Sequence, residues 1–453
     1  MAMSHPARSR WPEVPLEEVA AALLLCGAMV FGGSSQGNAI PLMVAELLSL
    51  PALAVGASRI QSGVRRDALG MAILLAIVAL PVVQLVPLPP SWWTRLAGRL
   101  SLASALELAR APLSPLGISL APDLTLHAWL ALAPPVAMVL IVPTLGPASR
   151  RRLAMLALAL IAASVIMGMA QVAGGPSSAL RFYADTNIDS GVGFFANRNH
   201  QADCLACGLV LAAGLAADQP VADRAARTLA RVVAAVLAAI FVVGVLLSGS
   251  RAGLVLTALC LAVTPLIVLR SSVAKSRKTE LMIVGISTLA LLGTVAGVAS
   301  IPALGRFHSS LAGDLRWETA PSVARAAAVY WPWGSGVGSF IPVYQGFERP
   351  ELMTYAIFNH AHDDYLEATL ESGIAAWAIL AAFLVWFGVR LAREWRTNRG
   401  GPDVGLRRAA TVIVITLLLH SIVDYPLRTV AMMVIFALAC GIVAGPAVDG
   451  VRD

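Results

Sequence analysis

The chain has 453 residues, of which 58% are hydrophobic and only 13% charged, with a formal net charge of +7 and a mean hydropathy of +0.77. A soluble domain carries about 25% charged residues, so water is not the main solvent of this protein; apolar runs near the ~20 residues that cross a bilayer recur along its whole length. The basic excess lies between those runs, which membrane orientation explains better than nucleic-acid binding does.

The first apolar run, 16–33, follows Arg8 and Arg10 as a signal peptide would, but so many runs succeed it that an uncleaved first helix is expected. Hydropathy and breakers place further spans near 39–58, 67–87, 126–145, 153–173, 201–217, 229–247, 252–269, 280–301, 363–389, 409–423 and 427–445. The expected fold is all-α: a polytopic transmembrane bundle of about twelve spans, with helices one to nine in 1–301, a long outer loop at 302–362, and helices ten to twelve in 363–453. The cysteines Cys26, Cys204, Cys207, Cys260 and Cys440 all lie in apolar segments and read as small core residues rather than as a disulfide framework. His200, Cys204 and Cys207 share one helical face, but a zinc site wants a fourth ligand and none is evident nearby.

With the N-terminus in the cytoplasm, every inner connection is basic, and about two-thirds of the 33 Lys and Arg fall on that side. The C-terminus is then cytoplasmic as well. The inner stretch RSSVAKSRKTE, 270–280, suits anionic lipid headgroups. Two outer segments are long. The first, about 88–125, has three prolines followed by Trp92 and Trp93 and suits a helix lying at the interface. The second, about 302–362, mixes arginines, aromatics and glycines, and long structured loops tend to carry function.

Four polar constellations fall on the outer side: GFFANRNHQA (193–202), SGSRAG (248–253), DLRWE with WGSGVGSF and NHAHDDYLEATLESG (314–373), and HSIVDYPLR (420–428). Arg198 stands between Asn197 and Asn199, and Arg251 follows Ser248, Gly249 and Ser250 in a tight turn. A guanidinium fork binds phosphate oxygens, and a Ser- and Gly-rich turn offers backbone N–H groups to the same anion. The competing reading is that each arginine only reaches for the interface. Arg316 has acids on both sides, Asp314 and Glu318, so an ion pair within the loop competes with a ligand role. The glycine-rich 334–338 stretch lacks the strand and helix of a dinucleotide site and reads as a close turn.

The most reactive-looking cluster is His360, His362, Asp363, Asp364 and Tyr365, with Glu367 and Glu371 continuing at helical spacing. Histidine can take a proton from an attacking hydroxyl near neutral pH, and a neighbouring carboxylate can orient it. Helix capping explains Asp363 and Asp364 equally well, though not the two histidines or acids continuing into an apolar span. Asp363 and Asp364 could also hold a divalent ion, a weaker reading because histidine rather than phosphate completes the cluster. His420, Asp424 and Arg428 flank the last outer turn, either as part of the site or as a structural network.

At these residues the chain resembles the O-antigen ligase and polymerase superfamily. The resemblance covers about 190–430 and rests on FFANRNHQA, the GSR of SGSRAG, the arginine ahead of a GxGxGxF-like turn, and HAHDDYLE followed by ESG. It implies a GT-C-like membrane glycosyltransferase whose donor is a polyprenyl-diphosphate-linked glycan. The acceptor would be a sugar hydroxyl on a glycan, lipid A-core or another molecule, in lipopolysaccharide or exopolysaccharide assembly. The reaction would take place at the periplasmic face of a bacterial inner membrane, with no nucleotide sugar, cofactor or required metal. By the same resemblance, His362, His360 and Asp363 are candidate catalytic residues, with His362 favoured as base, and Arg198, Arg251 and Arg316 are candidates to hold the diphosphate. Asn199, His200, Asp364, Glu367, His420, Asp424 and Arg428 are candidate supports. HDDY stands where many relatives have His-Asn. A transporter or flippase of lipid-linked glycans is the rival from another class; it would place ionisable residues near the bilayer midplane.

Overall fold

Backbone groups surrounded by lipid have no water to bond, so an apolar chain must satisfy them within each segment. The computed structural model accordingly shows helices and, among the described residues, no strand beyond an isolated bridge between Leu88 and Leu116. It describes residues 14–35, 39–219, 223–270, 315–353, 357–396 and 401–446, except for the side chains of 64, 269, 270, 315 and 316.

The helices are α1 (Leu16–Phe31), α2 (Ala39–Ser58), α3 (Ile60–Arg66), α4 (Ala68–Leu85), α5 (Pro90–Trp93), α6 (Leu100–Leu108), α7 (Pro122–Leu130), α8 (Ala133–Ile141) and α9 (Pro147–Ala173). They continue as α10 (Arg198–Ala217), α11 (Arg224–Ser248), α12 (Arg251–Arg270), α13 (Leu315–Tyr330), α14 (Phe340–Gln345), α15 (Asp364–Glu394), α16 (Val404–His420) and α17 (Val430–Ala444). Every expected span coincides with one of these helices or a consecutive pair, except 280–301, which lies outside the described residues, as does 302–314 of the long outer loop. Among the described residues, eight helical segments are long and apolar enough to cross a membrane. The protein is a multi-pass, all-α membrane protein.

Three helices of 16, 17 and 15 residues, α1, α16 and α17, are shorter than the ~20 residues of a full span. Of these, α16 and α17 are almost wholly buried, so the surrounding helices rather than lipid form their solvent. The same is true of α10, the central helix, which packs against α9, α11, α12 and α16. Small residues permit this closeness: Gly214 of α10 and Gly405 of α16 each lie against the other's carbonyl, the close backbone approach that replaces hydrophobic driving force inside a membrane.

The ends of the helices sort into two groups. At one end, Gly32 and Gly33 after α1 accept the N–H groups of Ala431 and Ala196, Gly191 donates to Leu247 of α11, and Asp364 of α15 donates to Ser421 after α16. The ends of α1, α11 and α16 therefore meet the starts of α10, α15 and α17, and the polar constellations converge there. At the opposite end the basic connections are paired: Arg150 with Asp403 at 3.3 Å, Arg407 with Glu394 at 2.8 Å, Arg390 with Asp67 at 2.7 Å, and Arg152 with Glu18.

The 88–125 segment is more than an interfacial belt. Trp92, Leu100 and Leu108 are exposed, as an anchoring helix requires, but Trp93 is fully buried and donates from its indole to the Ser114 carbonyl at 3.1 Å. The Leu88–Leu116 bridge folds the segment back on itself, and that fold encloses one of the two tryptophans.

Candidate active site

The start of α15 is set by Asp363, whose side chain accepts the N–H groups of Tyr365 and Leu366, both at 2.9 Å. This is the cap that first-turn acids commonly provide. Burial raises the Asp363 carboxyl above the usual carboxylate range. Capping forces the preceding residue to turn sharply, and His362 has φ of 52°, a left-handed conformation that costs a residue with a side chain ~1–2 kcal/mol.

What holds His362 there comes from the far end of α16. Its Nδ1 lies 3.1 Å from Oδ1 of Asp424, and Asp424 is itself fixed by the Tyr425 N–H at 2.9 Å and by the side-chain amide of Asn199 at the start of α10. A carboxylate in this position holds the proton on Nδ1 and leaves the Nε2 lone pair as the basic site. The Asp424 side chain is fully buried, whereas His362 retains 15% exposure. The sequence pointed to a carboxylate next door in the chain; the carboxylate in contact is 62 residues away.

His360 forms a second pair, its Nδ1 2.8 Å from Glu367 Oε1, while the other Glu367 oxygen accepts the Ala361 N–H. The His360 Nε2 atom is buried, so of the two histidines His362 is the more open.

Below them, Asp364, Glu367 and Glu371 line one face of α15, and Arg428, in the turn between α16 and α17, meets all three. Its Nη1 is 2.6 Å from Glu371 and 3.4 Å from Glu367, and its Nε is 3.4 Å from Asp364. Burial alone would lower the Arg428 pKa, but the three carboxylates outweigh it and raise it. The acids that looked expensive in an apolar span are thus paired. Glu371 also accepts the Gly338 N–H at 2.8 Å. The glycine stretch is the close turn its composition suggested: Gly334, Gly336 and Gly338 have φ of 80°, 106° and 81°, and it is fastened to α15 and to Gln84 of α4, whose side chain accepts the Val337 N–H and donates to the Glu371 carbonyl.

Two residues at the site carried no signal of their own in the sequence. Tyr425 stands among three histidines, its ring centroid 4.9 Å from His200, 4.3 Å from His360 and 4.8 Å from His362, and its hydroxyl accepts from Asn197 at 3.3 Å. Asp203, one turn below Asn199 on α10, is fully buried and bonded to His420 Nδ1, one turn below Asp424. Two polar rungs, Asn199 with Asp424 and Asp203 with His420, therefore cross between α10 and the end of α16. His200 completes the layer by bonding the Thr429 hydroxyl at 2.9 Å.

Arg198 opens α10 after the cap residue Asn197, and its N–H is held by Asn187 at 2.9 Å. Arg251 opens α12 after a hairpin in which Gly249 has φ of 65°. In that hairpin the serine hydroxyls are already used: Ser248 accepts the Ser250 N–H and Ser250 accepts the Gly253 N–H. A Cβ on Gly253 would collide with the Ala202 side chain, so the first turns of α10 and α12 touch. Arg198 and Arg251, both half-buried, thus head neighbouring helices at the end where His362 lies. Arg316 belongs to the first turn of α13, and its side chain lies outside the described residues.

Residues 235–381, which contain Arg251, the glycine turn and both histidine pairs' α15 side, match the family model described as O-antigen ligase. No curated protein matches the chain. That match covers about a third of the chain, and together with the multi-pass helical architecture it makes the chain similar to the O-antigen ligase family.

Proposed function

We propose that the chain transfers a glycan from a polyprenyl-diphosphate carrier to a sugar hydroxyl, with inversion and without a metal, on the non-cytoplasmic face of a bacterial inner membrane. The observation that carries this reading is the His362–Asp424 pair, 3.1 Å apart, in a partly open position at the helix end where Arg198 and Arg251 also lie.

In this mechanism Nε2 of His362 takes the proton of the acceptor hydroxyl as its oxygen attacks the anomeric carbon. The new carbon–oxygen bond forms as the bond to the carrier phosphate breaks, and the electron pair leaves with the diphosphate. Negative charge grows on that leaving group, and Arg198 and Arg251, with Arg316, supply fixed positive charge where it develops. Asp424 stabilises the imidazolium that results. Asn199, His200, His420 and Tyr425 hold Asp424 and the imidazoles in place, while Asp364, Glu367 and Glu371 with Arg428 fasten α15. His360 and Asp363 bracket the base, the first through Glu367 and the second as the cap that sets its backbone.

The orientation follows from the charges. With the site outside, the basic connections lie in the cytoplasm together with both termini. Growth of a repeat-unit polysaccharide and ligation to a lipid-borne or other acceptor share this chemistry, and product size separates them.

The test is glycan transfer by purified protein from a polyprenyl-diphosphate-linked oligosaccharide, comparing wild type with Arg198→Ala and Arg251→Ala. Each variant should lose ~10²-fold or more in rate. Full rates in both would remove the diphosphate clamp from the reading, and donor movement across vesicles without any transfer would replace the enzyme with a transporter.

A further inference from the structure

On the side of α17 away from α16, a cavity of about 330 Å³ opens between α4, α8 and α17, with Phe383 and Trp386 of α15 along it. That size is within the usual range for a ligand site. Its body is apolar, walled by Ile73, Ile77, Val136, Val139 and Phe436. Its polar lining is confined to one end, where Arg59, Ser62 and Arg66 of the α2–α4 connection meet Asp67 and Thr144. The far end, at Leu132, Leu427 and Met433, carries no charge.

The charged end is basic in effect. Asp67 is already taken up by Arg390 at 2.7 Å and by the Trp386 indole at 2.8 Å. Arg59 makes a 3.2 Å pair with Glu17 that is largely open to solvent, and Arg66 is exposed. A cavity with a cationic mouth and an apolar body fits an amphiphile with an anionic head and a hydrocarbon tail. Depth supports the same conclusion. From Asp67 to Ile77 along α4 is about 15 Å at the helical rise, half of the ~30 Å hydrocarbon core, and along α17 the lining continues from Ala444 to Met433 and on to Leu427, so the body is long enough for an acyl chain that starts at the basic end. A polyprenyl diphosphate entering from the His362 end would set its diphosphate against Leu132 and Leu427, where no cation lines the wall.

We propose that this cavity binds an anionic phospholipid of the leaflet at the basic end, its phosphate between Arg59 and Arg66 and one acyl chain between α4, α8 and α17. The phosphate position lies at the end of the cavity opposite His362, so the proposal stands whether or not the transfer chemistry is correct.

Native mass spectrometry of the purified full chain tests it, with phosphatidylglycerol and phosphatidylcholine of identical acyl chains as probes. Wild type should retain phosphatidylglycerol in preference. The double variant Arg59→Gln/Arg66→Gln should bind it about 30-fold more weakly, the usual effect of two basic residues near an anionic lipid. Val136→Trp should reduce retention by filling the body. Equal retention of the two lipids, an unchanged double variant, or displacement of phosphatidylglycerol by a polyprenyl phosphate would overturn the proposal. Because Arg59 and Arg66 are exposed, the double variant reports even where Val136→Trp fails to fold.

Discussion

Nδ1 of His362 and Oδ1 of Asp424 are 3.1 Å apart, although 62 residues separate them in the chain, and the buried Asp424 is bonded in turn to Asn199 of a third helix. His362 thus takes its orientation from the start of α10 and the turn after α16 rather than from its own segment. Asp424→Asn keeps the volume of the side chain but not its charge, and should lower the transfer rate by ~10²-fold or more with little change in the KM for donor. Steady-state kinetics checks this; a variant that loses donor affinity at unchanged turnover would speak for a binding role instead.

Arg428 is the sole cation among the described residues that meets Asp364, Glu367 and Glu371 together. Arg428→Gln leaves three buried carboxylates without it and should destabilise the fold by ~3–5 kcal/mol, as breaking a buried pair does. Thermal unfolding in detergent reads the loss. Double replacement with Glu371→Gln, whose carboxylate is at 2.6 Å, should recover part of it.

Gly373 interrupts α15 with φ of 52° and ψ of −132°, and a Cβ there would collide with the Pro332 carbonyl oxygen. Gly373→Ala should therefore cost at least ~1–2 kcal/mol and loosen the glycine turn from α15, seen as faster amide exchange at 334–338. Gly388, on the same helix with nothing within 4 Å of its would-be Cβ, is the control. Gly388→Ala should be neutral or stabilising by up to ~1 kcal/mol.

Asp218, just past the end of α10, accepts the N–H groups of Gly405 and Leu406 at 2.6 and 2.8 Å, yet burial pushes its carboxyl up to about 7. The folded protein then holds a proton that the unfolded chain, with an ordinary carboxyl near ~3.9, has released. Stability contributed by this group is full at low pH and declines as pH rises from about 4 to about 7. Asp218→Asn should remove that decline, so the melting temperatures of variant and wild type should diverge between pH 5 and pH 8 in favour of the variant. An unchanged difference across that range would contradict the assignment.

Hydropathy made the helices legible because lipid demands internal hydrogen bonding wherever the chain is apolar. It was blind to which helices lie inside: α10, α16 and α17 read as ordinary spans, and only their burial reveals a core of protein around them. Within the site, Glu367 and Glu371 are legible as one face that continues from Asp363 in steps of four, but Asp363 caps the helix and Asp364 takes its place on that face; Arg428 as their partner is not legible, since no periodicity links a turn to a helix 57 residues earlier. Asp203 is a single acid in an apolar helix, and Tyr425 an aromatic in a turn. Each acquires its place from packing between helices, which pattern alone does not encode.

The most direct measurement is glycan transfer by purified protein with His362→Ala, using a polyprenyl-diphosphate-linked oligosaccharide and matching wild type and variant for thermal stability. Wild type should give product and the variant a rate lower by ~10²-fold or more, with donor still bound. Transfer at the wild-type rate by a folded His362→Ala protein would contradict His362 as the base.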